Sequence, residues 1–223
     1  GEITGRRSRE AARWNGRVGS EAVGADLRPA LAGGTDLELG LAGRPDLGTV
    51  IDLLRQGSAY ARSRGFEQWP ARFPAGFVSA GIEREEVYLA RIGGIAVATC
   101  WLAWSDESFW GPDDGMAGYL HRLAVAEARR GEGLGRRILD WAQERATDAG
   151  RPLLRLDCMA DNRPLRSWYE ADGFVLRGER QVRPPEDAAH AAVIRVCLYE
   201  RAEPRRADVP GPAGARPLTQ GPG

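Results

Sequence analysis

The 223-residue chain contains no lysine, and all 31 of its basic residues are arginine. That absence excludes every chemistry that needs an ε-amine, so there is no P-loop lysine and no pyridoxal-phosphate Schiff base. Cysteine is scarce too. Cys100, Cys158 and Cys197 are odd in number, scattered and never in C-x-x-C spacing. This argues against a disulfide framework and a zinc site, and no metal is expected. Such cysteines suit a reducing, cytoplasmic setting. Net charge is also missing, since 31 acids balance the 31 arginines. Nothing draws the whole chain toward nucleic acid or an anionic membrane, so neither is an expected partner. No stretch approaches the ~18 apolar residues that read as a membrane span. Arg6 and Arg7 are not followed by an apolar signal core.

Residues 1–35 mix Arg, Gly, Ala and Glu around Trp14 and are too poor in apolar mass to build a core, which predicts a flexible leader. From Arg201 the chain is dominated by Pro, Gly, Ala and Arg, which predicts a disordered tail over 201–223. The folded domain is expected over 36–200.

Within it, Asp36 to Ala42 alternates as a strand, and Arg44-Pro45-Asp46 opens a helix carried by Leu47, Ile51, Leu54 and Tyr60. Gly65 to Glu86 holds two prolines and four large aromatics and reads as an irregular, partly helical connection of the kind that walls a cleft. Val87–Ile92 and Ile95–Trp104 flank Gly93-Gly94, a hairpin signal. Tyr119–Ala126 reads as a strand leading into RGEGLG (130–135) and a helix with Leu134, Ile138, Trp141 and Ala142 on one face. Pro152–Met159 is the next strand. Asn162 caps a short helix that Pro164 begins and Gly173 ends. Phe174–Gln181 and Ala191–Tyr199 close the series. The order predicts an α/β fold with one mixed sheet of about seven strands, mostly antiparallel, and helices on both faces.

The strongest chemical signal is RGEGLG between a strand and a helix. Its glycines let backbone N–H groups converge at a helix N-terminus, where the dipole favours phosphate. A Rossmann fingerprint would need a third glycine where Arg136 stands, despite Asp157 at the end of the next strand.

At these residues the chain resembles the GNAT superfamily of N-acetyltransferases, whose signature Arg/Gln-x-x-Gly-x-Gly/Ala is filled by Arg130, Gly133 and Gly135. The resemblance runs through Leu123-Ala124-Val125, Asn162, Trp168-Tyr169 and Gly173-Phe174, so it covers residues 117–180 closely and 36–116 only in element order. It implies the acyl-CoA N-acyltransferase fold, with strands four and five splayed, acetyl-CoA as acyl-donor cosubstrate between them, and an amine arriving from the other side. Similar enzymes are often homodimers.

The resemblance assigns cofactor binding to Leu123, Ala124, Val125, Arg130, Gly131, Glu132, Gly133, Leu134, Gly135, Arg136 and Asn162. Backbone N–H groups of 123–125 are the implied oxyanion donors, and Tyr169 is the implied acid for the departing thiolate. His121, on the strand before Leu123, suits a base for the ammonium proton. Structural readings stand beside these: Tyr169 as a core residue, His121 as a strand histidine, and Arg136 with Arg137 as a solvated helix face. Cys158 as a covalent nucleophile is disfavoured because no base pairs with it.

For the acceptor, Phe66, Gln68, Trp69 and Phe73 in the connection, and Trp101, Trp104 and Trp110 beside Asp106, Glu107, Asp113 and Asp114, would suit a cationic amine. The acids could equally form a solvated hairpin tip, and His190 could line the acceptor mouth. The expected function is acetyl transfer from acetyl-CoA to a primary amine of a small molecule. Acetylation of a protein N-terminus or lysine, and acyl-CoA sensing without turnover, are the alternatives.

Overall fold

The computed structural model describes residues 37–67, 69–182 and 193–202. The expected leader, Gln68, His190 and the tail beyond Ala202 lie outside the described residues.

Seven strands form one sheet in the order β1-β2-β3-β4-β5-β7-β6. In chain order the elements are β1 (Leu37–Leu41), α1 (Leu47–Ser63), α2 (Ala75–Glu83), β2 (Val87–Ile92), β3 (Ile95–Ala103), α3 (Glu107–Trp110), β4 (Ala117–Val125), α4 (Leu134–Asp148), β5 (Leu153–Met159), α5 (Arg163–Ala171), β6 (Val175–Val182) and β7 (Ile194–Ala202). Every neighbouring pair is antiparallel except β4 with β5. The mixed, mostly antiparallel sheet expected from the sequence is therefore present.

The two-residue period of β2 explains why helices cover both faces. Val87 and Leu89 point into one core with Val50, Leu53 and Leu54 of α1 and Val78 and Ile82 of α2. Tyr88 and Ala90 point into the other core, against Ile138, Leu139 and Trp141 of α4. The Tyr88 and Trp141 rings meet edge-on with centroids 4.8 Å apart, an arrangement that aromatic quadrupoles favour. Gly93 and Gly94 both take positive φ in the β2–β3 hairpin, as its turn requires.

Three sequence expectations shift. Of the stripe read as Leu47, Ile51, Leu54 and Tyr60, Leu54 is buried with Val50, Leu53 and Ser58 and Leu47 and Ile51 pack at the core's edge, whereas Tyr60 is 47% exposed. The polar stretch after β3 contains the four-residue helix α3. Strand β7 continues through Arg201 and Ala202, past the expected boundary at residue 200, because Leu153 and Leu154 of β5 pair with them.

One interruption in this sheet positions the site. β4 and β5 are paired only at Ala117↔Leu153, Gly118↔Leu154 and Tyr119↔Arg155. Beyond Tyr119 the two strands are unpaired, which opens the centre of the sheet between residues 121–125 and 157–159.

Candidate active site

The opening leads into a cavity of about 940 Å³ lined from three sides. The loop before α4 forms one wall, the open edges of β4 and β5 a second, and the connection between α1 and α2 a third.

The loop wall begins with Gly131 and Gly133 at φ values of 85° and 75°, which only glycine adopts without strain. Gly133 is the N-cap of α4, and no side chain of the loop caps the helix. The first N–H groups of α4 have no intrahelical acceptor, as at any helix start, and the helix dipole adds positive potential at this end, which lines the cavity. Glu132 is held aside by Arg129, whose Nε lies 2.8 Å from its carboxylate. Arg130 is partly committed to the fold: its guanidinium donates to the Gln56 carbonyl at 2.8 Å and lies 4.4 Å from the Tyr60 ring centroid. Arg136 is paired with Asp172 while still lining the cavity. Leu134 is buried beneath the loop, and Gly135 lets the Trp168 ring approach α4.

The open edge of β4 supplies a donor. The Ala126 N–H bonds the Val97 carbonyl at 2.8 Å. Backbone hydrogen-bonding groups alternate edge by edge along a strand, so the Val125 N–H points to the opposite edge, where β5 has diverged. Leu123, Ala124 and Val125 all line the cavity.

Across the opening, Asn162 caps α5 by accepting from the Leu165 N–H at 3.2 Å, and Tyr169 sits two turns further along. Tyr169 is 8% exposed, packed among Trp168, Phe174 and Tyr199, yet its side chain lines the cavity. Burial pushes its phenol well above the usual tyrosine range, with the Cys158 and Asp157 charges adding to the effect. The hydroxyl thus keeps its proton throughout the neutral range. Cys158 also lines the cavity, but burial pushes its thiol up to about 12. The thiol therefore keeps its proton at neutral pH, which disfavours it as a nucleophile. All three cysteines are free and buried.

His121 is flanked by two carboxylates: Nε2 lies 3.6 Å from Asp106 Oδ2, and Nδ1 lies 3.6 Å from Asp157 Oδ1. Asp106 comes from the start of α3 and is 6% exposed, and its Oδ2 has no hydrogen-bond partner among the described residues. Burial raises the Asp106 carboxyl pKa, with His121 acting against the rise and Asp157 with it. Ligand atoms of Asp106, His121 and Asp157 all lie within 4.8 Å of one another, so two carboxylates and an imidazole converge on one point. Sequence reasoning named His121 but not this cluster. The acids beside the hairpin divide instead: Asp106 turns inward, while Asp113 and Asp114 are tied to Arg151 and Arg155 at 3.1 and 2.8 Å. The aromatic wall expected between α1 and α2 is present, with Phe66, Trp69, Phe73 and Phe77 lining the cavity.

The cavity thus lies in a sheet opened between two central parallel strands, with a glycine-rich helix start in one wall and His121 between two carboxylates in another. Comparison with known proteins gives the family. The Acetyltransferase (GNAT) family profile matches residues 53–174. The chain is 32% identical over 143 residues to the uncharacterized N-acetyltransferase YesJ of Bacillus subtilis, spanning 60% of this chain and 78% of that protein. Among solved structures, a GNAT-family acetyltransferase from Listeria monocytogenes superposes with a TM-score of 0.61 at 23% identity, covering 78% of this chain and 98% of that one. The yncA protein of Salmonella typhimurium, solved with acetyl-CoA, superposes with a TM-score of 0.55 at 14% identity, covering 75% and 94%. This chain belongs to the GNAT family and is an N-acetyltransferase. Among the described residues no helix is long and apolar enough to cross a membrane.

Proposed function

We propose that the protein transfers the acetyl group of acetyl-CoA directly to a primary amine of a small molecule. The observation that supports this reading is the cavity, whose lining includes His121, flanked by Asp106 and Asp157, together with Tyr169 and the loop before α4. The relative from Salmonella typhimurium supports the donor, since its structure contains acetyl-CoA.

In this reading the N–H groups of Gly131 to Gly135, with Arg130 and Arg136 alongside, hold the pyrophosphate of the donor. Asn162 contacts its pantetheine arm. The Val125 N–H, within the 123–125 edge, accepts charge as it develops on the thioester oxygen, and such a donor commonly contributes about 10²- to 10³-fold in rate. His121 removes the proton of the incoming ammonium, directly or through water, and Asp106 and Asp157 stabilise the imidazolium so formed. The amine nitrogen bonds the acetyl carbon, the carbon–sulfur bond breaks as the Tyr169 hydroxyl donates its proton to the departing sulfur, the acylated nitrogen returns its surplus proton to Tyr169 through water, and His121 releases the first proton to solvent. Cys158 takes no part, so no acyl-enzyme forms.

The test is calorimetric titration of acetyl-CoA into the protein, with NAD and ATP as controls, followed by release of free CoA thiol against panels of small amines and peptides. Selective binding of acetyl-CoA, its loss in Gly133→Asp, and turnover on small amines are expected. Absence of binding, or turnover on peptides alone, would overturn the reading.

A further inference from the structure

Arg122 carries a feature that donor binding and proton transfer leave unused. It is an arginine in the left-handed region, at φ 51°, where non-glycine residues are uncommon. The strain has a visible cause. Thr99 pairs with Ala124 and Trp101 with His121, so Arg122 and Leu123 together oppose Cys100 on β3. This is a β-bulge, the device that re-aims side chains beside functional sites. Without it, strict alternation would send Arg122 to the face opposite His121. With it, both residues line the same cavity.

The guanidinium packs against two rings at once. Its central carbon lies 4.8 Å from the Phe77 centroid and 4.6 Å from that of Trp101. The rings themselves are stacked 5.2 Å apart at an interplanar angle of 19°. Among the described residues Arg122 forms no ion pair or hydrogen bond. Ring faces attract the cation but offer its five N–H donors no acceptor atom. Burial lowers the Arg122 pKa, and the charges of Asp157 and Asp106 only oppose that effect. A planar guanidinium packed on two rings at a cavity wall, with no ion pair or hydrogen bond among the described residues, is preorganised for a bidentate oxyanion.

Resting on the acetyltransferase reading above, we infer that Arg122 binds a carboxylate carried by the acceptor, so that the acetylated amine is of the amino-acid class. The charges choose a carboxylate over a phosphate. Asp106 and Asp157 stand beside His121, the next residue on the strand, and would repel a dianion placed at Arg122. A zwitterion meets both demands, with its ammonium at the Asp106–His121–Asp157 cluster and its single negative charge at Arg122. The aromatic wall at Phe66, Trp69 and Phe73 adds a preference for large apolar side chains.

The experiment compares kcat/KM for matched pairs that differ only in the carboxylate: phenylalanine with phenethylamine, tryptophan with tryptamine, and leucine with isoamylamine. The wild-type enzyme is expected to favour the amino acid by about 10²-fold or more. Arg122→Met should collapse the ratio toward one, and Arg122→Lys should restore part of it, with acetyl-CoA binding as the check on folding. The wild-type ratios decide the matter even if Arg122→Met does not fold. Equal or better turnover of the amines without a carboxylate would overturn the inference and leave the acetyltransferase reading standing. An unchanged ratio in folded Arg122→Met would overturn the assignment to Arg122. Turnover of neither set, with acetyl-CoA bound, would remove the small-amine reading and this inference together.

Discussion

At the residue scale, Tyr169 and Asp106 illustrate how one physical effect, desolvation, helps one buried acid and hinders another. Burial favours the neutral form of both acids. For Tyr169 this keeps in place the proton that the proposed mechanism gives to the leaving sulfur. Tyr169→Phe should therefore lower kcat about 10²-fold while leaving acetyl-CoA affinity nearly unchanged, as read by steady-state kinetics and calorimetry. Unchanged turnover would return Tyr169 to the core. For Asp106 burial is a cost, because a carboxylate beside His121 is useful only when ionised. Its folded pKa lies above its unfolded one, so the folded state binds the extra proton. Stability from this group is present at low pH and falls as pH rises through the unfolded and then the folded pKa. Asp106→Asn removes that loss. The variant should gain on the order of 1 kcal/mol over wild type above that window, with the difference shrinking on acidification, and should turn over more slowly. Urea unfolding at several pH values, paired with rate measurements, checks both halves.

At the element scale, close approach between α2 and β3 sets the ring pair on which Arg122 packs. A Cβ built on Gly81 would lie 2.5 Å from two atoms of the Trp101 ring and 3.1 Å from Val87 Cγ2. Gly81→Ala should push Trp101 from its seat, lower stability by about 1–3 kcal/mol and unstack Arg122 from Phe77. Denaturant unfolding measures the first effect and acceptor KM the second. This level of structure also shows what was legible in the sequence and what was not. The hairpin at Gly93-Gly94, the buried face of α4 and the Asn162 cap follow from local rules of turn, period and cap, and they stand as expected. The α1 stripe was misread because Tyr60 is apolar in type yet lies against Arg130, a tertiary contact that periodicity cannot register. The bulge at Arg122 was invisible for the same reason, since it depends on the register of β3 against β4. Asp106 sat in a polar stretch that reads as a solvated turn, and only its position at the start of α3 buries it.

At the scale of the whole molecule, a chain without lysine anchors its buried acids with arginine forks. Glu200 on β7 is gripped by Arg155 of β5 and Arg177 of β6, at 2.8 and 2.7 Å. Arg201, the next residue, joins elements rather than strands. It donates to the Leu139 carbonyl on α4 at 2.9 Å and to the Asp172 carboxylate after α5 at 2.7 Å, and its guanidinium carbon lies 4.8 Å from the Phe174 ring centroid. Its side chain is 12% exposed and that of Asp172 only 6%. Asp172 also holds Arg136, so this one buried carboxylate couples the last strand to the first turn of α4 and thereby to the loop that faces the cavity. Removing one partner of a buried pair is costly, because it strands the other charge in a poorly solvated site. Arg136 remains as a partial partner, which places the expected loss for Arg201→Met at about 2–3 kcal/mol in denaturant unfolding, below that for an isolated buried pair. The same variant should weaken acetyl-CoA binding, because Arg136 is then drawn more tightly to Asp172 and away from the cavity. A loss of stability with unaltered acetyl-CoA affinity would show that Asp172 serves the fold alone and that Arg136 is not shared between the two tasks.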